Sequence, residues 1–158
     1  MDPFRIFLLA LLVGGVAGLR ALTAPAAVAW AAHLQWLDLR HTPLALMGST
    51  GAVVIFTLLA LFELVADKLP STPARTAPPG LIGRIVFGGL CGACLAASGM
   101  ASIAGGAFLG AVGGVAGAFG GYQARTRLGR ALKAPDMVIA CLEDAVAIGA
   151  GLFIASRL

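Results

Sequence analysis

The stretch "LIGRIVFGGLCGACLAASGMASIAGGAFLGAVGGVAGAFGG" (residues 81–121) decides the fold class. It carries one charged residue, Arg84, in some 40 positions. As a single helix it would be about 60 Å long, twice the thickness of a bilayer's hydrocarbon core. Such a run has to turn, and Ser98-Gly99 is the place where the composition allows it. Two apolar helices joined by a tight turn are therefore expected, spanning about 81–100 and 101–121.

The flanking sequence has the same character. Of 158 residues, 59% are hydrophobic and only 11% are charged, with a mean hydropathy of +0.97. A soluble domain of this length needs more charge to cover its surface. Three further apolar runs cover Phe4–Ala32, Leu44–Ala66 and Met137–Ser156. The expected fold is an all-α polytopic membrane protein, one domain over 1–158, with about five transmembrane helices. A cleaved signal peptide is the rival reading of "FRIFLLALLVGGVAG". The weakly charged "MDPFR" and the polytopic remainder argue against it.

Basic residues orient the chain. Lys68, Arg75 and Arg84 lie between the second and third runs, and Arg125, Arg127, Arg130 and Lys133 between the fourth and fifth. By the positive-inside rule both connections face the cytoplasm. With five crossings the N-terminus is expected inside and the C-terminus outside, in a bacterial inner membrane. The net charge of +4 then reflects contact with anionic lipid rather than with nucleic acid. "GYQARTRLGRALKAPD" (121–136) reads equally as a solvated basic loop or a short interfacial helix.

The apolar run 4–32 is too long for one straight span, about 43 Å against 30 Å. Inside it lies "GLRALTAPA" (18–26). Gly18 and Pro25 offer a break, and Arg20 and Thr23 are polar. A broken or re-entrant segment here would expose backbone groups to protein or water. The alternatives are an Arg20 that snorkels outward or binds carbonyls freed by Pro25. Counted from Arg5, Arg20 sits roughly 22 Å deep, where no carboxylate is expected if the span is straight.

Ionisable residues within a span are functional candidates by default. Besides Arg20 these are Glu63, Asp67, Glu143 and Asp144. All four acids fall in the cytoplasmic third and are expected to cluster. Three readings apply: pairing with Lys68, Arg84, Arg125 or Arg127; a proton or cation site; or a hard-cation metal site. The last ranks lowest, and no cofactor is expected. Cys91 and Cys94 form a CxxC that reads as small packing residues.

Gly106, Gly110, Gly113, Gly114, Gly117 and Gly121 recur with GxxxG spacing, which lets helices meet backbone to backbone in lipid. They serve packing within one subunit or a homodimer seam. "VGGVAG" occurs at 13–18 and 112–117, on spans expected to run in opposite directions. That pattern fits a weak inverted repeat or chance in a chain with 22 glycines.

Three segments together, "GLRALTAPA" (18–26), "FELVADKLPSTPART" (62–76) and "CLEDAVAI" (141–148), resemble a family of small bacterial integral membrane proteins, domain of unknown function 4126. Arg20, Pro25, Glu63, Asp67, Lys68, Pro70, Glu143 and Asp144 match its motifs. Cys141-Leu142 departs from the alanine-type residue expected before Glu143. The resemblance implies a shared site formed by these residues but no activity. The leading expectation is a small transporter or channel for a polar or anionic solute, proton- or cation-linked and homodimeric. The rival is a non-transporting scaffold, assembly or lipid-organising protein. No nucleophile or nucleotide-binding motif proposes an enzyme.

Overall fold

The computed structural model describes residues 2–67, 77–132 and 136–157. The chain forms α1 (Pro3–Leu19), α2 (Thr23–His33), α3 (Thr50–Ala66), α4 (Pro78–Ser98), α5 (Ile103–Leu132) and α6 (Asp136–Ala155). A single 3-10 turn, Ala45–Gly48, precedes α3, and no strand occurs among the described residues. By length and composition α4 and α5 are apolar enough to cross a membrane, while α1 and α3 are shorter apolar helices.

Local chemistry explains most of the boundaries. Asp2 caps α1 through Phe4 N–H (3.3 Å), and Pro3 occupies the first turn, where its missing donor costs nothing. Ser49 caps α3 through Ala52 N–H (3.1 Å). The long apolar run turns at Gly99–Ser102. There Ala101 N–H reaches back to Ala96 C=O (2.8 Å) and Met100 takes φ 55°. This is the left-handed C-terminal cap that helices commonly use. Ser102 then accepts Gly105 N–H (3.2 Å) and starts α5.

Helix α5 lies between α1 and α4 and packs more extensively on them than any other helices pack on each other. Glycine makes this approach possible. A Cβ at Gly92 would sit 2.9 Å from Gly110 Cα, and one at Gly18 would sit 2.6 Å from Gly117 Cα. Gly106, Gly110, Gly113, Gly114 and Gly117 thus face backbone of α1 or α4 in the same chain. Gly121 falls beyond this seam and lines a cavity between α5 and α6. A second layer sets α2 against α3 and α6. At 11 residues α2 is only about 16 Å long. Leu37, Leu39 and Met47 from the following segment are buried in the space beyond it.

The helix directions correct two expectations. Gly14 meets Gly110, Gly18 meets Gly114 and Gly117, and Ile6 and Phe7 face Gly99 and Gly105. Residue numbers rise together along the seam, so α1 and α5 are parallel. The two "VGGVAG" copies therefore run in the same direction, and the inverted repeat falls away. The likeness reflects two helices meeting small residue against small residue.

The second correction concerns the first apolar run. Leu22 lies beside Glu63, and Trp30 Nε1 donates to Thr57 Oγ1 (3.0 Å), so α2 is antiparallel to α3. Gly151 of α6 faces both Ala27 of α2 and Val16 of α1. The break expected between Gly18 and Pro25 falls at residues 20–22; what the sequence left open is its direction, a full reversal that makes α1 and α2 a hairpin. Pro3 and Ala155 consequently lie at the same end of the bundle, not at opposite ends. The reversal needs only three residues, so the sequence shows no polar loop there. Helix α5 also continues through Arg125, Arg127 and Arg130, where the sequence suggested a loop or a separate interfacial helix.

Candidate functional site

The α1–α2 reversal creates a problem and solves it with remote residues. Arg20 leaves helical geometry at φ −139° and ψ 108°, with its own N–H closing the last turn on Val16. Ala21 and Leu22 N–H then lack local acceptors, and no side chain of their own segment caps α2. Glu63, 41 and 42 residues away in sequence, supplies both. Its Oε1 accepts Ala21 N–H (2.8 Å) and its Oε2 accepts Leu22 N–H (2.9 Å). A carboxylate at a helix N-terminus also meets the positive end of the helix dipole. Thr23 and Pro25 sit buried in the first turn of α2. Pro25 needs no hydrogen-bond partner there.

Arg20 has no exposed surface and is the largest fully buried side chain among the described residues. Its guanidinium is shared. Nη1 donates to Asp67 Oδ2 (2.9 Å) at the end of α3 and reaches the Glu63 carbonyl (3.4 Å), while Nη2 donates to Asp144 Oδ1 on α6. One arginine at the helix break thereby ties together α3, α6 and the α1–α2 hairpin. This corrects the depth count, which left Arg20 without a carboxylate at its level. Helix α1 runs toward the end of the bundle where α3 terminates, so Arg20, which follows its last turn, meets Asp67 directly.

The four acids do not form one cluster. Glu63, Asp67 and Asp144 gather around Arg20 and the turn. Glu143, next to Asp144 on α6, points to α5, where its Oε2 lies 3.9 Å from Arg125 Nη1. That separation is a charge contact rather than a hydrogen bond. The buried side chain of Arg84, one of the four cations weighed as partners of the acids, donates Nε–H to Gly18 C=O (3.0 Å) and Nη1–H to Gly80 C=O (3.0 Å). It serves a carbonyl at the C-terminal end of α1, one of the acceptors a helix end leaves open. Lys68 and Pro70 lie outside the described residues. Among the described residues no group of three or more metal-ligating side chains could hold a metal ion.

Two buried polar atoms at the turn, Arg20 Nε and Thr23 Oγ1, have no hydrogen-bond partner among the described residues. Buried donors and hydroxyls almost always find partners, water included. The turn therefore combines a saturated ion network with polar capacity left over. Cys91 and Cys94 are free thiols buried in the core with Leu95 and Val13.

A model of one protein family, described as "Domain of unknown function (DUF4126)", matches residues 7–156, nearly the whole chain. The chain belongs to the DUF4126 family. Arg20, Pro25, Glu63, Asp67, Glu143 and Asp144, the described positions behind the sequence resemblance, all lie within the matched span. No curated protein and no solved structure matches it.

Proposed function

We propose that this DUF4126 protein is a bacterial inner-membrane transporter or channel for a small polar solute, with its pathway at Arg20 and the carboxylates around it. The observation that carries the reading is Arg20 itself. It is wholly buried at a helix break and divided between Asp67 and Asp144 on separate helices. Ionisable groups at membrane depth are costly and are kept where a pathway needs them. Discontinuous helices are a recurrent way to present polar groups at that depth. The unpartnered Arg20 Nε and Thr23 Oγ1 mark where a polar solute or water engages. Arg20's Nη groups are already committed, so the solute need not be an anion.

The proposed topology has six membrane-embedded helices, with α2 and the buried segment after it together filling one traverse. Both termini face the outside. The end of α3, the start of α4 and the end of α5, with Arg125, Arg127 and Arg130, face the cytoplasm. Arg5, Arg40 and Arg157 remain on the outer side. The positive-inside bias supports this orientation. Cysteines introduced near residues 2 and 157 would both react with an impermeant reagent in intact cells, and one at 127 would not.

The glycine seam favours a second reading, a non-transporting membrane module in which the network only holds helices together. Reconstitution distinguishes them. Vesicles carrying the protein should pass a member of a solute panel under an imposed ion or pH gradient, and Asp144→Asn should reduce that flux while the protein stays folded. Fluxes equal to those of protein-free vesicles across the panel would refute the transport reading.

A further inference from the structure

Two polar groups at the α1–α2 reversal are left over, and the fold itself keeps them so. Thr23 opens α2, and a threonine hydroxyl at a helix start commonly accepts an N–H two or three residues on. Here the residue two on is Pro25, which has no N–H. The residue three on is Ala26, whose N–H is given to Leu22 C=O (3.2 Å). The hydroxyl, on a residue only 6% exposed, is thus denied both local donors.

Arg20 is constrained from the other side. Its Nη atoms donate to Asp67 and Asp144, which stand on different helices. A guanidinium is a rigid planar fork, so the direction of Nε–H is set once both Nη atoms are committed. Turning it toward another partner would break one of the two ion pairs. Arg20 Nε and Thr23 Oγ1 are both buried without a hydrogen-bond partner among the described residues. They flank Ala21 and Leu22, whose N–H groups Glu63 holds.

Charge restricts what can sit there. Glu63, Asp67 and Asp144 bring three carboxylates to the turn. Against them stand Arg20 and Arg84, which reaches Gly18 C=O. Three negative charges and two positive leave one negative. An added anion would meet those carboxylates where charge is poorly screened. A cation would face Nε–H, which only donates. An uncharged oxygen suits both groups: a lone pair takes Nε–H, and a second hydrogen bond runs to the threonine hydroxyl.

We propose that the reversal binds one uncharged oxygen between Arg20 Nε–H and Thr23 Oγ1, that of a resident water or of a solute hydroxyl that displaces it. In its solute form the site rests on the transport reading above, and in its water form it stands without it. It narrows the expected polar or anionic solute to a neutral hydroxyl compound.

A structure of the full chain in detergent, at a resolution that shows ordered water, reads the site directly. One oxygen should lie within about 3.2 Å of both Arg20 Nε and Thr23 Oγ1. Thr23→Val, close in shape but without the hydroxyl, supplies a second readout, and Thr23→Ala takes its place if the valine variant does not fold. Wild type and variant are melted with glycerol, acetate or inorganic phosphate, and the variant's shift is subtracted to cancel effects on the surface at large. A remaining stabilisation by glycerol alone identifies a solute hydroxyl, and the bound oxygen with no such shift identifies water; either supports the proposal. No oxygen within reach of both atoms, or a remaining stabilisation by acetate or phosphate, would overturn it. Vesicle flux is a separate measurement, so its failure would count against transport and leave the bound oxygen standing.

Discussion

Gly110→Ala should destabilise the protein although alanine is the better helix former. Gly110 lies mid-way along α5, and an added Cβ would meet Gly88 C=O and lie 2.9 Å from Gly88 C and 3.1 Å from Gly92 Cα. All these atoms are backbone of α4, so no side chain can rotate out of the way. Relief requires the helices to separate by several tenths of an ångström along the whole seam. Overpacking of this kind costs about 1–3 kcal/mol. Against it stands the helix preference of alanine over glycine, worth up to about 1 kcal/mol. Gly15→Ala is the matched control. It lies on α1 in the same seam, but its Cβ would meet nothing within 4 Å. The control should be neutral or slightly stabilised; the propensity gain is common to both, so the variants should differ by the overpacking cost, about 2 kcal/mol at the middle of its range. For a chain of this size that is roughly 4–8 °C in Tm. The assay is thermal unfolding of both purified variants in one detergent, followed by circular dichroism or intrinsic fluorescence. Equal melting of Gly110→Ala and Gly15→Ala would refute the close approach of α4 and α5.

Arg20→Met should destabilise by about 3–5 kcal/mol, since it leaves Asp67 and Asp144 without their shared cation; in a double-mutant cycle with Asp144→Asn the two losses should be clearly less than additive, and strict additivity would break the pair. Met100→Gly should stabilise by about 1 kcal/mol, because Met100 sits at φ 55°, where an L side chain is penalised and glycine is not. A lower melting temperature would contradict that cap. At the other end of the charge scale, the exposed Asp38 carboxyl is held below its usual range by hydrogen bonds from Arg40. A depressed acid stabilises the fold above its ordinary range and loses that contribution as pH falls through the lowered value. Because the pair is fully exposed, Asp38→Asn should leave the melting temperature at pH 7 unchanged within error. A clear drop would show that the segment between α2 and α3 depends on this pair.

Much of the protein was legible in one dimension. Composition and run length specify an all-helical chain, and an uncharged run from 85 to 121, too long for one span, forces a turn near Ser98. Arg20 and the acids stand out because charge is rare in such a chain. The site was only half legible: its members were identifiable, but not their partnerships. Glu63 and Asp144 are no nearer Arg20 in sequence than many other residues, and Glu143 and Asp144, adjacent on α6, serve different cations.

The sequence by itself determined that helices form, roughly where they lie and which charged residues stand out in an apolar chain. Only tertiary structure decided their directions. A reversal normally announces itself by polar residues that satisfy the turn's own backbone, and residues 20–22 have none. Their donors are met by Glu63 from α3, so the turn exists only once α3 is packed beside it. The parallel pairing of α1 with α5 has the same origin. Glycine spacing permits a close approach in either direction, and the packed bundle selects one. A hydrogen bond across more than 40 residues and a backbone contact between helices leave no local pattern in a sequence, because both are properties of the assembled fold.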